Sequence, residues 1–199
     1  RSIDRAMTTC EPDVVINTAA FTKVDLAEKN PTAAFAVNAD AVGKLAQQCH
    51  IKKIPLIHLS TDYVFDGQAS HPYPETHPPN PLNQYGLSKW RGEQAIVQHC
   101  ESYVILRVSS VFGAYGHNFV KTILQLAAQQ DQLTLVVDQI HAPTAAASIA
   151  QVLVEIILAL RTKPWGVFHY CDKPATIWYY FACHIVDVAK RSRSLPIKT

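Results

Sequence analysis

The sequence predicts an α/β protein built on a mainly parallel sheet. Short apolar runs rich in β-branched residues alternate with longer stretches of helical periodicity, the pattern of repeated βα units. The chain has 199 residues, of which 48% are hydrophobic and 17% charged, enough for one domain with a substantial core. A cluster of prolines between the second strand and the following helix marks a long excursion of the kind that more often carries function than decoration.

The elements follow in order. Asp13 to Asn17 reads as a buried strand with polar ends, and Pro31 to His50 as a helix. Pro31 suits the first turn, and Phe35, Val42, Leu45 and Ala46 recur at helical spacing. Pro55 to Leu59 is a second strand that ends in Ser60-Thr61. Asp66 to Pro81 holds Pro72, Pro74, Pro78, Pro79 and Pro81 and is a loop. Leu82 to His99 reads as a helix, Tyr103 to Val108 as a strand and Asn118 to Gln130 as a helix with Phe119, Ile123, Leu126 and Ala127 on its apolar face. Leu133 to Val137 reads as a strand, Thr144 to Leu160 as a helix, Gly166 to Tyr170 as a strand and Thr176 to Ala189 as a helix.

Composition excludes several classes. A net charge of +2 is too mild for a nucleic-acid binder, and Lys52-Lys53 and Lys190-Arg191-Ser192-Arg193 read as solvated surface. No apolar run approaches a membrane span: Ile149 to Leu160 is broken by Gln151 and Glu155. No secretory leader is recognisable, so a soluble cytoplasmic protein is expected. The five cysteines contain no CxxC and the nine histidines no HExxH, so neither a disulfide framework nor a metal site is expected.

A sheet that binds a dinucleotide ordinarily opens with a strand, a glycine-rich turn and a helix N-terminus that holds the pyrophosphate. No such glycine turn occurs here; Gly113-Ala-Tyr-Gly116 follows a strand but lacks the third glycine. Either that opening unit is missing, which would leave the Asn17 strand at a sheet edge, or the protein does not bind dinucleotides. The remaining motifs favour the first alternative.

Tyr85-Gly-Leu-Ser-Lys89 lies on the helix after the proline-rich loop, and spacing i, i+4 places phenol and ammonium on one face. A free tyrosine has a pKa near ~10 and is a sluggish acid-base group at neutral pH; a close ammonium is expected to lower it. Alone, this pair is often only a surface contact. Ser60-Thr61 puts hydroxyls at the carboxyl end of a buried strand, where open α/β sheets bind ligands. Asn17-Thr18-Ala19-Ala20 ends the preceding strand in small residues that allow a flat ring to approach the backbone.

With these segments in order, the chain resembles the extended short-chain dehydrogenase/reductase superfamily and, within it, the dTDP-4-dehydrorhamnose reductase (RmlD) family. The resemblance rests on Pro12 to Ala20, Val24-Asp25, Ala36-Val-Asn38, Ser60 to Gly67, Pro81 to Lys89, Gly92-Glu93, Asn118-Phe119-Val120, Asp138-Gln139 and Pro143-Thr144. It implies a Rossmann-like, doubly wound fold over residues 1–199, here without its glycine-turn unit. Substrate-binding elements would lie mainly in the C-terminal part. It also implies NAD(P)H-dependent reduction of the 4-keto group of dTDP-4-dehydro-L-rhamnose, with NADPH or NADH as cofactor, a nucleotide sugar as partner and a homodimer as one candidate assembly. Carried over by motif, Thr61, Tyr85 and Lys89 are catalytic. Ala19, Ala20 and Thr22, with Tyr85 and Lys89, line the cofactor site. Val24, Thr61, Asp62, Tyr63 and Ser110 face the sugar.

Two positions depart from the family pattern. Ser110 stands where members often carry Trp, which bears on the choice of sugar, and His141 stands where Gly is frequent. Two other readings stay open on sequence: another nucleotide-sugar enzyme of the superfamily, or a non-catalytic module of the same fold. Tyr63 after Asp62, where dehydratases carry Glu, argues against a dehydratase. Retention of Thr61, Tyr85 and Lys89 together argues against a pure binding module.

Overall fold

A computed structural model describes residues 2–192. The chain packs as two compact units. The first, described over 2–108 and 155–170, holds a four-stranded parallel sheet: β1 (Val15–Asn17), β2 (Leu56–Thr61), β3 (Tyr103–Val108) and β7 (Gly166–Tyr170), ordered β1-β2-β3-β7. Among the described residues β1 is an edge, and Ile16 is exposed on it.

β2 and β3 are the central strands. Leu56, Ile57, Val104, Ile105 and Leu106 are buried on them, which fits the nearly continuous apolar runs of a sheet covered on both faces. Helices α1 (Ser2–Cys10), α4 (Ala41–Lys52) and α5 (Gln84–His99) close one core around Met7, Val42, Ala46, Cys49, Leu56, Ile96 and Ile105. The sequence reading contains no counterpart to α1 or to the short α2 (Val24–Lys29). Among their described residues those two helices bury Met7 and Ala27, too few for a periodic signal.

The expected helix at 31–50 is present but not uniform. A first turn, α3 (Pro31–Phe35), capped by the Asn30 side chain, runs through a π-helical turn (Ala36–Asp40) into α4. The extra residue of a π turn re-aims side chains, and such turns concentrate at functional places. Here it contains Asn38, which is completely buried.

The second unit is described over 109–154 and 171–192. It contains two small ladders, β4 (Val111–Phe112) with β6 (Thr144–Ala145) and β5 (Ile140–His141) with β8 (Thr176–Ile177). Helices α6 (Phe119–Ala127) and α8 (Trp178–Ser192) pack through Ile123, Ala127, Ala182, Ile185 and Val186. α7 (Ala146–Ala159) begins in this unit. Residues 133–137, read from sequence as a strand, form none. Leu133 and Leu135 instead pack on the α6/α8 core, so their apolar character serves side-chain burial without a ladder. His141 stacks on the Trp178 ring at 3.6 Å, so this departure from the family pattern joins an aromatic cluster.

No described helix is long and apolar enough to cross a membrane. Among the described residues, no group of three or more His, Cys, Asp or Glu side chains could hold a metal ion. Arg193 of the second basic cluster lies outside the described residues.

Candidate active site

The carboxyl end of β2 and the first two turns of α5 bring the candidate residues of the first unit together. Asn83 caps α5, its side chain accepting a hydrogen bond from the Gly86 amide at 2.8 Å. The Glu28 carboxylate of α2 accepts from the Gln84 amide at 2.6 Å, placing a negative charge at the helix start. Two glycines allow the close fit. A Cβ on Gly86 would fall on the Tyr63 carbonyl oxygen, and one on Gly92 on the Asn38 carbonyl oxygen. The helix can therefore press its Tyr85–Lys89 face against the strand ends.

Thr61 ends β2 and is buried. Its hydroxyl accepts from the Tyr63 amide at 3.2 Å, starting the 3-10 turn Asp62–Val64, and lies 3.1 Å from an Asp62 carboxylate oxygen. The Tyr85 ring meets Tyr63 edge-on at 5.5 Å between centroids, and the Thr61 hydroxyl acts on its phenol. Burial pushes the Tyr85 phenol up to about 12, against the Thr61 hydrogen bond, which pulls it down. The sequence led us to expect a phenol lowered by Lys89, and the structure reverses the direction. The reason is burial of the phenol itself; the Lys89 hydrogen bonds run elsewhere.

Lys89 is among the most buried side chains of the protein. Its Nζ donates to the Leu59 carbonyl oxygen at 2.6 Å and lies 3.1 Å from His58 Nε2. Burial lowers its pKa to about 8, and Glu93 one turn along acts in the opposite sense. His58, also fully buried, has its pKa held well below the usual imidazole value, by burial first and by Lys89 second. On its other side Nδ1 lies 3.0 Å from Asn17 Nδ2. Asn17 and His58 are register partners across β1 and β2 and so share a face of the sheet.

Two residues along β2 on the same face, Ser60 donates to Glu93 of α5. Glu93 in turn accepts a two-pronged pair from Arg107 of β3, Nε to Oε1 at 2.9 Å and Nη2 to Oε2 at 2.6 Å. Arg107 also sits 5.1 Å from the Phe65 ring centroid and 3.4 Å from His169 Nε2 on β7. Phe65 stacks on Tyr73 at 4.5 Å, and Asp66 accepts from the Tyr73 hydroxyl at 2.7 Å and from Asn80 Nδ2 at 3.0 Å. The proline-rich excursion is thus pinned, from Phe65 to Asn80, to the strand ends beneath it.

The cofactor candidates follow β1. Ala19 and Thr22 are exposed and Ala20 is half-buried. Their loop is held by Asn38, whose amide accepts from the Phe21 amide at 2.8 Å, donates to the Phe21 carbonyl at 3.0 Å and donates to Ser88 Oγ at 2.9 Å. Val24 opens α2, and its side chain is half-buried. Ser110 belongs to the second unit; its backbone is left-handed at φ 45°, and its carbonyl accepts from the Thr144 amide at 3.2 Å. Sequence reasoning missed His58, Asn38, Glu93 and Arg107 as organisers of the site. A lone polar residue inside an apolar strand, as in Leu56-Ile-His-Leu59, was the available signal.

The parallel sheet with helices against it has the fold of the short-chain dehydrogenase/reductase class. A family model described as the RmlD substrate binding domain matches residues 1–199, and the chain belongs to that family. The dTDP-4-dehydrorhamnose reductase of Aggregatibacter actinomycetemcomitans is 43% identical over 188 residues, 93% of this chain and 64% of that protein. A crystal structure of dTDP-4-dehydrorhamnose reductase from Bacillus anthracis in complex with NADP superposes with a TM-score of 0.87 at 35% identity, over 94% of this chain and 66% of that one. A dTDP-4-dehydrorhamnose reductase ortholog from Clostridium acetobutylicum superposes at 0.90 with 34% identity, over 99% of this chain and 69% of that one. The chain thus spans somewhat under two thirds of the length of the curated relative.

Proposed function

We propose that the whole protein reduces the 4-keto group of dTDP-4-dehydro-L-rhamnose to dTDP-L-rhamnose, with NADPH or NADH as hydride donor. The observation that carries this reading is the placing of the half-buried Tyr85, on one helix face with the buried Lys89, against the 3-10 turn that follows Thr61 at the carboxyl end of a central strand. The names and the NADP complex of the relatives support the choice of substrate and cofactor.

The residues present fit the nicotinamide end of such a cofactor. Ala19 and Ala20 leave the loop after β1 open to a flat ring, Thr22 adds a hydroxyl, and Lys89, one turn after Tyr85 on α5, has N–H groups besides the one given to Leu59 for ribose hydroxyls. When bound, the cofactor supplies the hydride that adds to the carbonyl carbon. The carbonyl π pair then moves onto the sugar oxygen, and Tyr85 donates its phenolic proton to that oxygen. Thr61 orients the ketone by hydrogen bonding and holds the phenol in line with it. The Tyr85 proton is replaced from solvent. Val24, Asp62 and Tyr63 contact the nucleotide sugar; Ser110 is assigned to it by motif alone. We place the reaction in the cytoplasm, where the free thiols of this chain stay reduced.

The test is to follow NADPH absorbance with the whole protein and dTDP-4-dehydro-L-rhamnose. Stoichiometric oxidation with formation of the 4-hydroxy sugar is expected. Binding of NADPH and nucleotide sugar without turnover would overturn the reading in favour of a binding module.

A further inference from the structure

The proline-rich excursion leaves the sheet directly after Asp62 and Tyr63 and is tied back at two places. At its base the Asn80 amide donates to the Val64 carbonyl at 2.9 Å, and Asp66 gathers the Tyr73 hydroxyl and the Asn80 side chain. The second tie is His169. Ser60, Arg107 and His169 are register partners on β2, β3 and β7 and stand in a polar row across one face of the sheet. At the end of that row the His169 backbone amide donates to Glu75 Oε1 at 3.1 Å, and its ring Nδ1 lies 3.1 Å from the Tyr73 carbonyl oxygen. A carbonyl oxygen only accepts, so Nδ1 carries a proton. Nε2 lies 3.4 Å from Arg107 Nη1, and a guanidinium only donates, so Nε2 is bare. Both partners thus select one neutral tautomer.

We propose that His169 is a positioning residue for the sugar side of the site: as the neutral Nδ1–H tautomer it joins Arg107 to the Tyr73 carbonyl and holds the excursion that follows Asp62 and Tyr63. This rests on the reading of those two residues as sugar contacts. A proton added to Nε2 would face an Arg107 N–H, donor against donor and cation against cation. Arg107 cannot yield by losing its own proton, and Glu93 holds its other nitrogens. The ring must then turn away, and the bond to Tyr73 goes with it. The charged groups around the ring are Arg107 of β3, Glu93 of α5 and Glu75 of the excursion, while His77 packs edge-on against Phe65, as His169 does. Burial chiefly holds the ring below its ordinary 6.5; Arg107 acts in the same sense, and Glu75, Glu93 and the Tyr73 carbonyl oppose them. A lowered value means that the folded state binds fewer protons, so the tie is complete above 6.5 and is lost as pH falls through the folded value.

The kinetic test depends on the reductase reading, whereas the spectroscopic one does not. In the whole protein labelled with 15N-histidine, His169 at about pH 7.5 is expected to be neutral with its proton on Nδ1. The Nε2–H tautomer, or an imidazolium, at that pH overturns the proposal whatever the activity. In ketone reduction at the same pH, His169→Phe should raise KM for dTDP-4-dehydro-L-rhamnose about tenfold, the order of one lost hydrogen bond, with kcat within about twofold of the parent. His169→Asn sets an amide N–H where Nδ1–H stands and cannot titrate, so it should keep the parent KM and lack the rise that the parent shows toward about pH 5.5. His169→Gln, whose amide reaches toward Arg107 instead, should behave as Phe does. An Asn variant that follows Phe or keeps the acid rise, a Gln variant with the parent KM, or a loss confined to kcat overturns the tie to Tyr73. Absence of reductase activity in the parent overturns the functional reading and leaves the tautomer result to decide this one.

Discussion

Lys89 and Arg107 are two buried cations in one unit of the protein, and they are treated in opposite ways. Arg107 meets a carboxylate with two parallel hydrogen bonds, has an aromatic ring beside it and reaches a histidine on the next strand. Lys89 meets a backbone carbonyl and a neutral imidazole. A guanidinium stays charged in any surroundings and fits a carboxylate fork, whereas an ammonium deprived of a counter-ion lowers its pKa instead. The lesson is a division of labour along one helix face. Glu93 ties α5 to β2 and β3 with fully matched charge. One turn earlier, Lys89 is left incompletely matched, which is the usual condition of a group that must change its protonation state.

Breaking the matched pair should have the largest effect. Arg107→Met strands the Glu93 carboxylate in the core and should cost about 3–5 kcal/mol, measured by urea denaturation, whereas Arg107→Met with Glu93→Leu should recover most of the loss. If the single and double variants are equally unstable, the pair is not the strut described.

Next in size is the donor itself. On the proposed reduction, Tyr85→Phe withdraws the donated proton and should lower kcat by about two orders of magnitude, with little change in NADPH affinity by fluorescence titration. A variant that keeps most of its turnover removes Tyr85 from the chemistry. Asn38→Ala tests the loop that both halves of the comparison leave untouched. It would leave the Phe21 amide and carbonyl and Ser88 Oγ without their partner, and should cost about 2–3 kcal/mol in the same denaturation measurement.

The smallest effect on stability has the opposite sign. Lys89→Met should abolish reduction yet raise stability by about 1 kcal/mol at pH 7, because an incompletely paired cation leaves the core. The pH dependence follows from the lowered pKa. Unfolded Lys89 stays protonated to about 10.5 and folded Lys89 to about 8, so the unfolded state binds more protons between these values. Parent stability from this group therefore rises with pH across that window, and the advantage of the Met variant should fade there. An advantage that persists unchanged at pH 10.5 would mean that the lysine's charge is not the cause.

Much of this molecule was open to reading before any coordinates. Tyr103–Val108 and Gly166–Tyr170 are strands at the boundaries that their apolar runs mark, and in Tyr103–Val108 every residue after the first is buried, as a strand covered on both faces requires. Tyr85 and Lys89 share a face of α5 because helical spacing is a local property of the backbone. Residues 133–137 have the same apolar character as those strands, yet no neighbouring strand lies alongside, and a strand exists only through its partner. The direction of Lys89 was likewise beyond the sequence. Whether its amine turns to a phenol, a carbonyl or an imidazole depends on β1, β2 and α5 meeting, and so does the burial that raises Tyr85 and lowers Lys89. The identity of the candidate groups is a matter of local sequence; their protonation is set by desolvation and by partners 30 or more residues away, which only the assembled sheet supplies.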